Sequence, residues 1–432
     1  MSRGTGRSPG AVGATLALAV AVAALYLSFV GYGVNLDDEG TVLNQVLRTA
    51  RGERPYLDFH TGYTPATFYL NAALLRIFGA SVLPIRALLA AVNTLSVVLV
   101  FRLALRFAPV AESLAAALAY ALCMPFFAGQ FASFNIPYPA WYALAAWLAA
   151  ELAAVRAVET GRRAWLAASG LLCGIAFSFK PNTGILALGA AVLGHLLATA
   201  PVAGVAGLVL ETVVLVVAAA SVAAVLGFEV LSGKFAWLGL PLAGWLLAAV
   251  VLRARRRRSG GAEACRPLSA ALADGLVLAA GFALPNAPWL GYFLPRLGLA
   301  RFGRDVLLLG AGVERIYGLD YPRPSPWTLI GLAALLGAVL VPRAIRAGWL
   351  GRRGLVAGLV AALLGVAVAA ARSAVAPEGL VISTSMQVEN LSFFLLPAVL
   401  AGAVLRELRD EARLARRPPA ASATGSRWAV AL

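Results

Sequence analysis

The sequence predicts an all-α polytopic membrane protein of about twelve transmembrane helices. Three observations predict it. The 432-residue chain is 61% hydrophobic and 13% charged, with a mean hydropathy of +0.82, whereas a soluble domain carries about 25% charged residues. Its apolar residues fall in runs approaching the roughly 20 residues that span a hydrocarbon core. Its basic residues gather in short segments that alternate with those runs as the positive-inside rule requires.

The runs lie at 11–31, 82–103, 110–128, 137–155, 164–179, 184–201, 203–228, 235–252, 267–289, 327–341, 354–371 and 387–405. The first follows Arg3 and Arg7. It is too long for the apolar core of a secretory signal and no clean small-residue cleavage site follows, so it reads as an uncleaved helix with a cytoplasmic N-terminus. The segments at 104–109, 156–163, 253–266 and 342–353 and the tail 406–432 then face the cytoplasm. They hold every strongly basic cluster, including "RARRRRSGG" (253–261) and "RELRDEARLARRPP" (406–419). One span more or fewer would invert the later loops and spoil this agreement. The organisation expected is one multi-pass domain, 1–405, in the cell (plasma or inner) membrane, and a basic cytoplasmic tail, 406–432.

The net charge of +16 raises nucleic acid as a partner in a soluble protein. Here the basic runs lack interleaved aromatics and abut apolar segments, so they read as orientation signals, and no nucleic acid is expected. Cys123, Cys173 and Cys265 are too few and too scattered for a disulfide framework or a zinc site.

The charge left outside is concentrated in two loops. Residues 32–81 hold Asp37, Asp38, Glu39, Arg48, Arg51, Arg54, Asp58, His60 and Arg76; residues 290–326 hold Arg296, Arg301, Arg304, Arg315 and Arg323. Such arginines serve an anionic ligand, or they pair with Glu53, Asp305, Glu314 and Asp320 in solvated loops; both readings stay open. Within the first loop, Val42, Leu43, Val46, Leu47 and Ala50 recur at helical spacing and predict a helix over 38–51, closed by Gly52. Asn35 or Asp37 can cap it, with Asp38 or Glu39 in its first turn. One acid suffices for capping, so three in a row exceed the structural need. The segment 66–79 is short for a span and holds Asn71 and Arg76, which predicts a helix lying along the membrane interface.

The order of the first span, "LDDEG", an amphipathic helix, "RGERPYLDF" and "YTPATFYLNAALLRIFG" resembles the first outer loop of the GT-C glycosyltransferases. Protein O-mannosyltransferases and the lipid A aminoarabinose transferases are members of that group. "GLLCGIAFSFKPNTGILAL" (170–188) is similar to the family's Gly-rich span that ends in a lysine, and "VENLSFFLLPAVL" (388–400) to a late span. The resemblance implies a GT-C-like fold, a polyprenyl-phosphate sugar donor, a glycan, lipid or protein acceptor, and transfer on the outer face. It maps the family's acidic pair onto Asp38 and Glu39, with Asp38 as base and Asp37 an additional acid. His60 or Arg54 stands in for a basic residue that the family often places before its prolines; here Tyr63 and Thr64 precede Pro65. The expected substrate-binding set is Lys180, Asn182, Arg54, Asp58, His60, Tyr63, Arg296 and Arg301, with Thr183 as a further donor. No strong metal-ligand set appears beyond the acid cluster, which leaves a divalent cation there open.

The chemistry needed agrees with these residue types. A sugar on a phosphate carries a good leaving group, so a positioned carboxylate and cations for the departing phosphate suffice for one inverting displacement. No Ser-His-Asp set, zinc-protease motif or phosphate-cradling glycine loop is visible. Polar residues inside spans are Glu112, Glu151, Glu211 and Asp274. Glu112, Glu151 and Asp274 fall toward cytoplasmic ends, where they reach interfacial water or pair with Arg156 and its neighbours; Glu211 lies deeper and has no explanation in the sequence. His195 reads as a satisfied core histidine and Asn135 as a candidate for the acceptor side. Two other classes fit the spans: a transporter or lipid flippase, though no two-halves repeat supports it, and a ligase joining a lipid-linked glycan to lipid, which 290–326 keeps open.

Overall fold

The computed structural model describes residues 9–106, 108–123, 133–226, 265–307 and scattered positions between 246 and 257. The expected spans at 327–341, 354–371 and 387–405, all but scattered positions of the one at 235–252, and Lys234, Arg315, Arg323 and the basic tail lie outside the described residues.

Ten helices carry the described chain: α1 (Pro9–Ser28), α2 (Asp38–Ala50), α3 (Pro65–Phe78), α4 (Leu83–Ala104), α5 (Val110–Cys123), α6 (Pro139–Thr160), α7 (Arg163–Phe179), α8 (Pro181–Ala198), α9 (Gly204–Leu226) and α10 (Leu268–Leu297). A single turn, Leu299–Phe302, and a wider one, Gly303–Leu307, follow α10. Among the described residues there is no strand, only isolated bridges at Pro55–Phe59 and Val202–Arg266. Among the described residues, five helices are long and apolar enough to cross a membrane: α1, α4, α6, α8 and α10. Helix α7 and the first part of α9 are apolar but shorter.

Local chemistry sets the boundaries. Proline opens α3, α4, α6 and α8, where its missing N–H costs nothing and its fixed φ suits the first turn. Lys180, extended at φ −149°, both ends α7 and begins α8, so Pro181 turns one helix directly into the next. The one clear departure from sequence expectation is α10. Its apolar run predicts an end near 289 and a loop from 290, but the helix continues to Leu297, through Pro285, Pro288 and Pro295. Proline breaks helices in water but is tolerated in helices that cross a membrane. The second loop therefore starts at Gly298, whose φ of +74° is open to glycine at little cost.

The helix ends sort into two poles. One pole gathers the ends of α1, α5, α7 and α10, the starts of α4, α6 and α8, and the loop helices α2 and α3. Tyr26 donates to the carbonyl of Ala121 there, at 2.9 Å. The other pole gathers Arg106 with Glu159, and Arg163, Arg266 and His195 around Asp274. We call these the acidic-loop pole and the basic pole.

Helix α7 is the hub, packed on α6, α8 and α10. Its glycines let backbones touch. A Cβ on Gly170 would sit 2.3 Å from the Leu278 carbonyl oxygen, and one on Gly174 2.4 Å from that of Phe282. In lipid, where apolar surface gives helices little reason to associate, small residues four apart bring helices close enough for van der Waals attraction to hold them. Asn286 stitches the same seam, donating to the carbonyls of Gly174 (3.1 Å) and Phe282 (2.7 Å) and accepting from Ser178 Oγ (2.8 Å) and Trp289 Nε1 (2.9 Å). Gly174→Val should destabilise the protein by about 1–3 kcal/mol through overpacking, read as a lowered midpoint of thermal unfolding in detergent. Gly189→Val, where a Cβ meets nothing within 4 Å, should leave the midpoint near wild type. Equal midpoints for the two variants would contradict the seam.

Candidate active site at the acidic-loop pole

The acid triplet starts α2, and its three members meet three different fates. Asn35 Oδ1 accepts from the Asp38 backbone N–H at 2.9 Å and so caps the helix. Asp37 occupies the N-cap position with no side-chain cap bond and is exposed. Asp38 is exposed too, and its Oδ2 accepts from the Tyr138 hydroxyl at 2.5 Å. Glu39 is 1% exposed. It takes a two-pronged bond from Arg86: Nε to Oε1 at 2.8 Å and Nη2 to Oε2 at 2.7 Å. Arg86, 3% exposed, also donates to the carbonyls of Val30 and Gly33, each at 2.8 Å.

This buried pair locks three segments together: the turn after α1, the start of α2 and the start of α4. Arg86 lies within the apolar run at 82–103. Its signal was there, since a guanidinium at membrane depth needs a carboxylate partner. Tyr138 was likewise missed, because its partner lies 100 residues away.

The remaining loop charges are largely paired with one another. Arg54 holds Asp58 through its backbone N–H (2.8 Å), Nε (2.9 Å) and Nη2 (3.1 Å), which keeps the Asp58 carboxyl below its ordinary range. Arg296 lies over the Tyr292 ring of α10 at 3.9 Å. Arg48 pairs with Glu53 at 2.6 Å. Arg301 donates to the carbonyl of Tyr56 (2.9 Å) and to Asp305 (3.2 Å), and Arg304 to Asp305 at 2.8 Å. Of the two readings open for these arginines, pairing within the loops accounts for Arg48, Arg54, Arg301 and Arg304. Tyr56, buried against Phe293, holds φ at +64°, an uncommon conformation for a bulky residue. Its hydroxyl donates to the Tyr63 carbonyl at 2.5 Å. His60 exposes its imidazole, and Asn182 Oδ1 accepts from the Thr183 N–H at 2.8 Å.

Lys180 differs from these arginines. It is half-buried, no acid or acceptor meets its ammonium among the described residues, and burial pushes its pKa down. It belongs to the same pole as Asp38. Tyr138 touches Asp38; Tyr142, one turn along, donates to Asn71 Oδ1 at 3.0 Å and stacks on Phe179 at 4.8 Å. Phe179 is the neighbour of Lys180. Polar atoms without partners gather here too: Thr64 Oγ1, Thr67 Oγ1 and Trp141 Nε1 are buried and unbonded.

Elsewhere the structure resolves the embedded polar groups. Asn135 donates to the carbonyls of Phe29 (2.8 Å) and Tyr32 (3.3 Å), a tether for the end of α1 rather than an opening to an acceptor. Glu211 has partners after all, in Arg253 at 2.6 Å and Arg257 at 3.0 Å. Glu151 accepts from Trp147 Nε1 at 2.8 Å, not from Arg156, which pairs with Glu159. Among the described residues no three of His, Cys, Asp and Glu converge as metal ligands.

A bundle of apolar helices with a charged, helical loop at one pole defines an integral membrane protein with its candidate site at that pole. Residues 62–228 match the family of dolichyl-phosphate-mannose-protein mannosyltransferases, which is of the GT-C type. The match supports a membrane glycosyltransferase of that type. The matched stretch starts after the acid triplet and contains Tyr138 and Lys180. No curated protein and no solved structure matches the chain.

Breaking a buried pair on one side leaves the other charge uncompensated, at a cost of about 3–5 kcal/mol. Arg86→Met should therefore lower the thermal midpoint sharply in detergent, and adding Glu39→Gln should recover part of the loss. A midpoint for Arg86→Met equal to wild type would contradict the clamp.

Proposed function

We propose that the protein transfers a sugar from a polyprenyl-phosphate donor to an acceptor hydroxyl of a glycan, lipid or protein, on the outer face of the membrane. The carrying observation is the division of labour in the triplet: Glu39 is committed to Arg86, while Asp38 remains open on the first turn of α2, steadied by Tyr138. The acceptor oxygen attacks the anomeric carbon, the bond from that carbon to the phosphate oxygen breaks, and the acceptor proton passes to Asp38. The products are an inverted glycoside and a free polyprenyl phosphate. The growing negative charge on the phosphate needs a cation not already neutralised. Lys180 supplies one at the same pole, with Asn182, His60 and the unfilled Thr64 and Trp141 groups as further contacts. Arg54, Asp58 and Tyr63 build the loop that carries His60, while Arg296 and Arg301 brace it against α10.

The membrane geometry fits. Helix α3 buries Phe68 and Ala72 against the bundle and exposes Tyr69, Leu70, Ile77 and Phe78. That apolar outer face suits a helix lying in the interface, where a lipid-borne sugar is presented. The strongly basic pole then faces the cytoplasm. Asp37, exposed beside the base, is the second carboxylate available to a divalent cation shared with the donor phosphate.

The test is purified protein in proteoliposomes, supplied with a panel of polyprenyl-phosphate sugars and assayed for free polyprenyl phosphate. Asp38→Asn should reduce turnover about 10²–10⁴-fold, the range of positioned proton transfer. Lys180→Met should reduce it about 10²-fold or more, as expected for loss of a cation facing developing charge. Full activity of Asp38→Asn would overturn the assignment of the base. Tyr138→Phe should lower kcat roughly 10-fold, the worth of one hydrogen bond to a charged group, with KM little changed. A change confined to KM would place Tyr138 in substrate binding instead.

A further inference from the structure

Helix α6 brings two tyrosines to the acidic-loop pole, and sugar transfer as drawn uses only the first. Tyr138, at the N-cap, holds Asp38. Tyr142, in the first turn, is buried and works in two directions. Its ring stacks on that of Phe179, with centroids 4.8 Å apart and planes within 16°. Its hydroxyl donates to Asn71 Oδ1 of α3 at 3.0 Å, and Asn71 Nδ2 donates in turn to the Thr67 carbonyl at 2.8 Å.

The surroundings do not call for a polar pair. The hydrophobic cluster around Tyr142 consists of Val42, Val46, Phe68, Ala72, Ile85 and Leu89. An amide and a phenol buried there are costly unless they meet, and two apolar groups of the same shape would serve stability about as well. What a satisfied buried bond adds is one fixed arrangement, here of α3, α6 and the end of α7. Phe179 is the last residue of α7, and Lys180 follows in extended conformation. The Lys180 N–H donates to the Ala176 carbonyl (2.8 Å) and its own carbonyl accepts from the Gly184 N–H (3.0 Å). A Cβ on Gly184 would lie 2.3 Å from the Phe177 Cα, so α8 leaves α7 without slack. Where the Phe179 ring docks therefore decides where Lys180 stands.

We infer that Asn71 and Tyr142 are positioning residues for Lys180. Through Phe179 they set the place of its ammonium relative to Asp38, and hence the distance between the proton acceptor and the departing phosphate. This positioning rests on the proposed role of Lys180 as the cation for that phosphate. Helix α6 then acts as a ruler, with Tyr138 holding the base and Tyr142, one turn on, holding the segment that carries the cation.

The double variant Asn71→Leu with Tyr142→Phe removes the hydrogen bond and leaves neither partner unpaired, so its thermal midpoint should stay near wild type. In proteoliposomes supplied with the polyprenyl-phosphate sugar that wild type turns over, kcat should fall about 10-fold or more, the cost of a slightly misplaced reacting group, with KM little changed. In a Lys180→Met background, its residual turnover followed with radiolabelled donor, the same two changes should cost nothing further, because they act through the group already removed. Phe179→Leu, which leaves the Asn71–Tyr142 bond in place and takes away the stacked ring, should show the same loss and the same dependence on Lys180; it carries the test if the double variant fails to fold. A wild-type kcat in these variants, or a loss that multiplies that of Lys180→Met, would overturn the positioning and leave the sugar transfer standing. Full activity of Lys180→Met would instead remove the phosphate role on which the positioning rests, and the positioning with it.

Discussion

The bond between Glu39 and Arg86 is the constraint on which the acidic-loop pole depends. Taking both charges out of water is costly, and the cost is offset only by close geometry and by satisfying every remaining donor. Here the geometry is two-pronged, and two further guanidinium hydrogens find the Val30 and Gly33 carbonyls. The loop helix α2 therefore cannot drift from the bundle without exposing an unpaired buried charge. Its N-terminus, with Asp37 and Asp38, is fixed relative to α4 and hence to α6 and Tyr138. An acid committed to architecture thus places its neighbour for chemistry.

The rest of the bundle supports this pole by close approach rather than by bulk. Glycines on α7 bring its backbone against α10, and Asn286 fills the polar side of that seam. Pro181 folds α8 back at once, which leaves Lys180 between two helices in an extended conformation, half-buried and, among the described residues, unneutralised. Charge is sorted between the poles. At the basic pole Arg106, Arg156, Arg163, Arg253, Arg257 and Arg266 are tied to Glu159, Asp274 and Glu211; at the other, Arg48, Arg54, Arg301 and Arg304 are tied to Glu53, Asp58 and Asp305. Against that background of paired charge, the open carboxylates of Asp37 and Asp38 and the bare ammonium of Lys180 stand out.

Much of this was legible in the sequence. The apolar run at 82–103 is α4 to within a residue at each end, and the i, i+3, i+4 stripe from Val42 to Ala50 is α2. Helix periodicity and proline starts are local signals, so they survive without knowledge of the fold. The end of α10 was not legible, because Pro285, Pro288 and Pro295 read as breakers by any local rule. The pairings of Arg86, Tyr138 and Glu211 cross 47, 100 and 42 residues of sequence, and nothing local announces them. The same blindness made Glu39 look equivalent to Asp38: as adjacent acids they are interchangeable in composition, and only the buried guanidinium tells them apart.

The proposed transfer requires the acid triplet to meet a lipid-borne sugar outside the cell while the basic pole stays within. In a background with Cys123, Cys173 and Cys265 replaced by Ala, Asp37→Cys and Arg162→Cys each put one thiol at an exposed site, one at each pole. A membrane-impermeant maleimide applied to intact cells should label Asp37→Cys readily and Arg162→Cys only after the membrane is opened. Labelling in the reverse order would contradict the account.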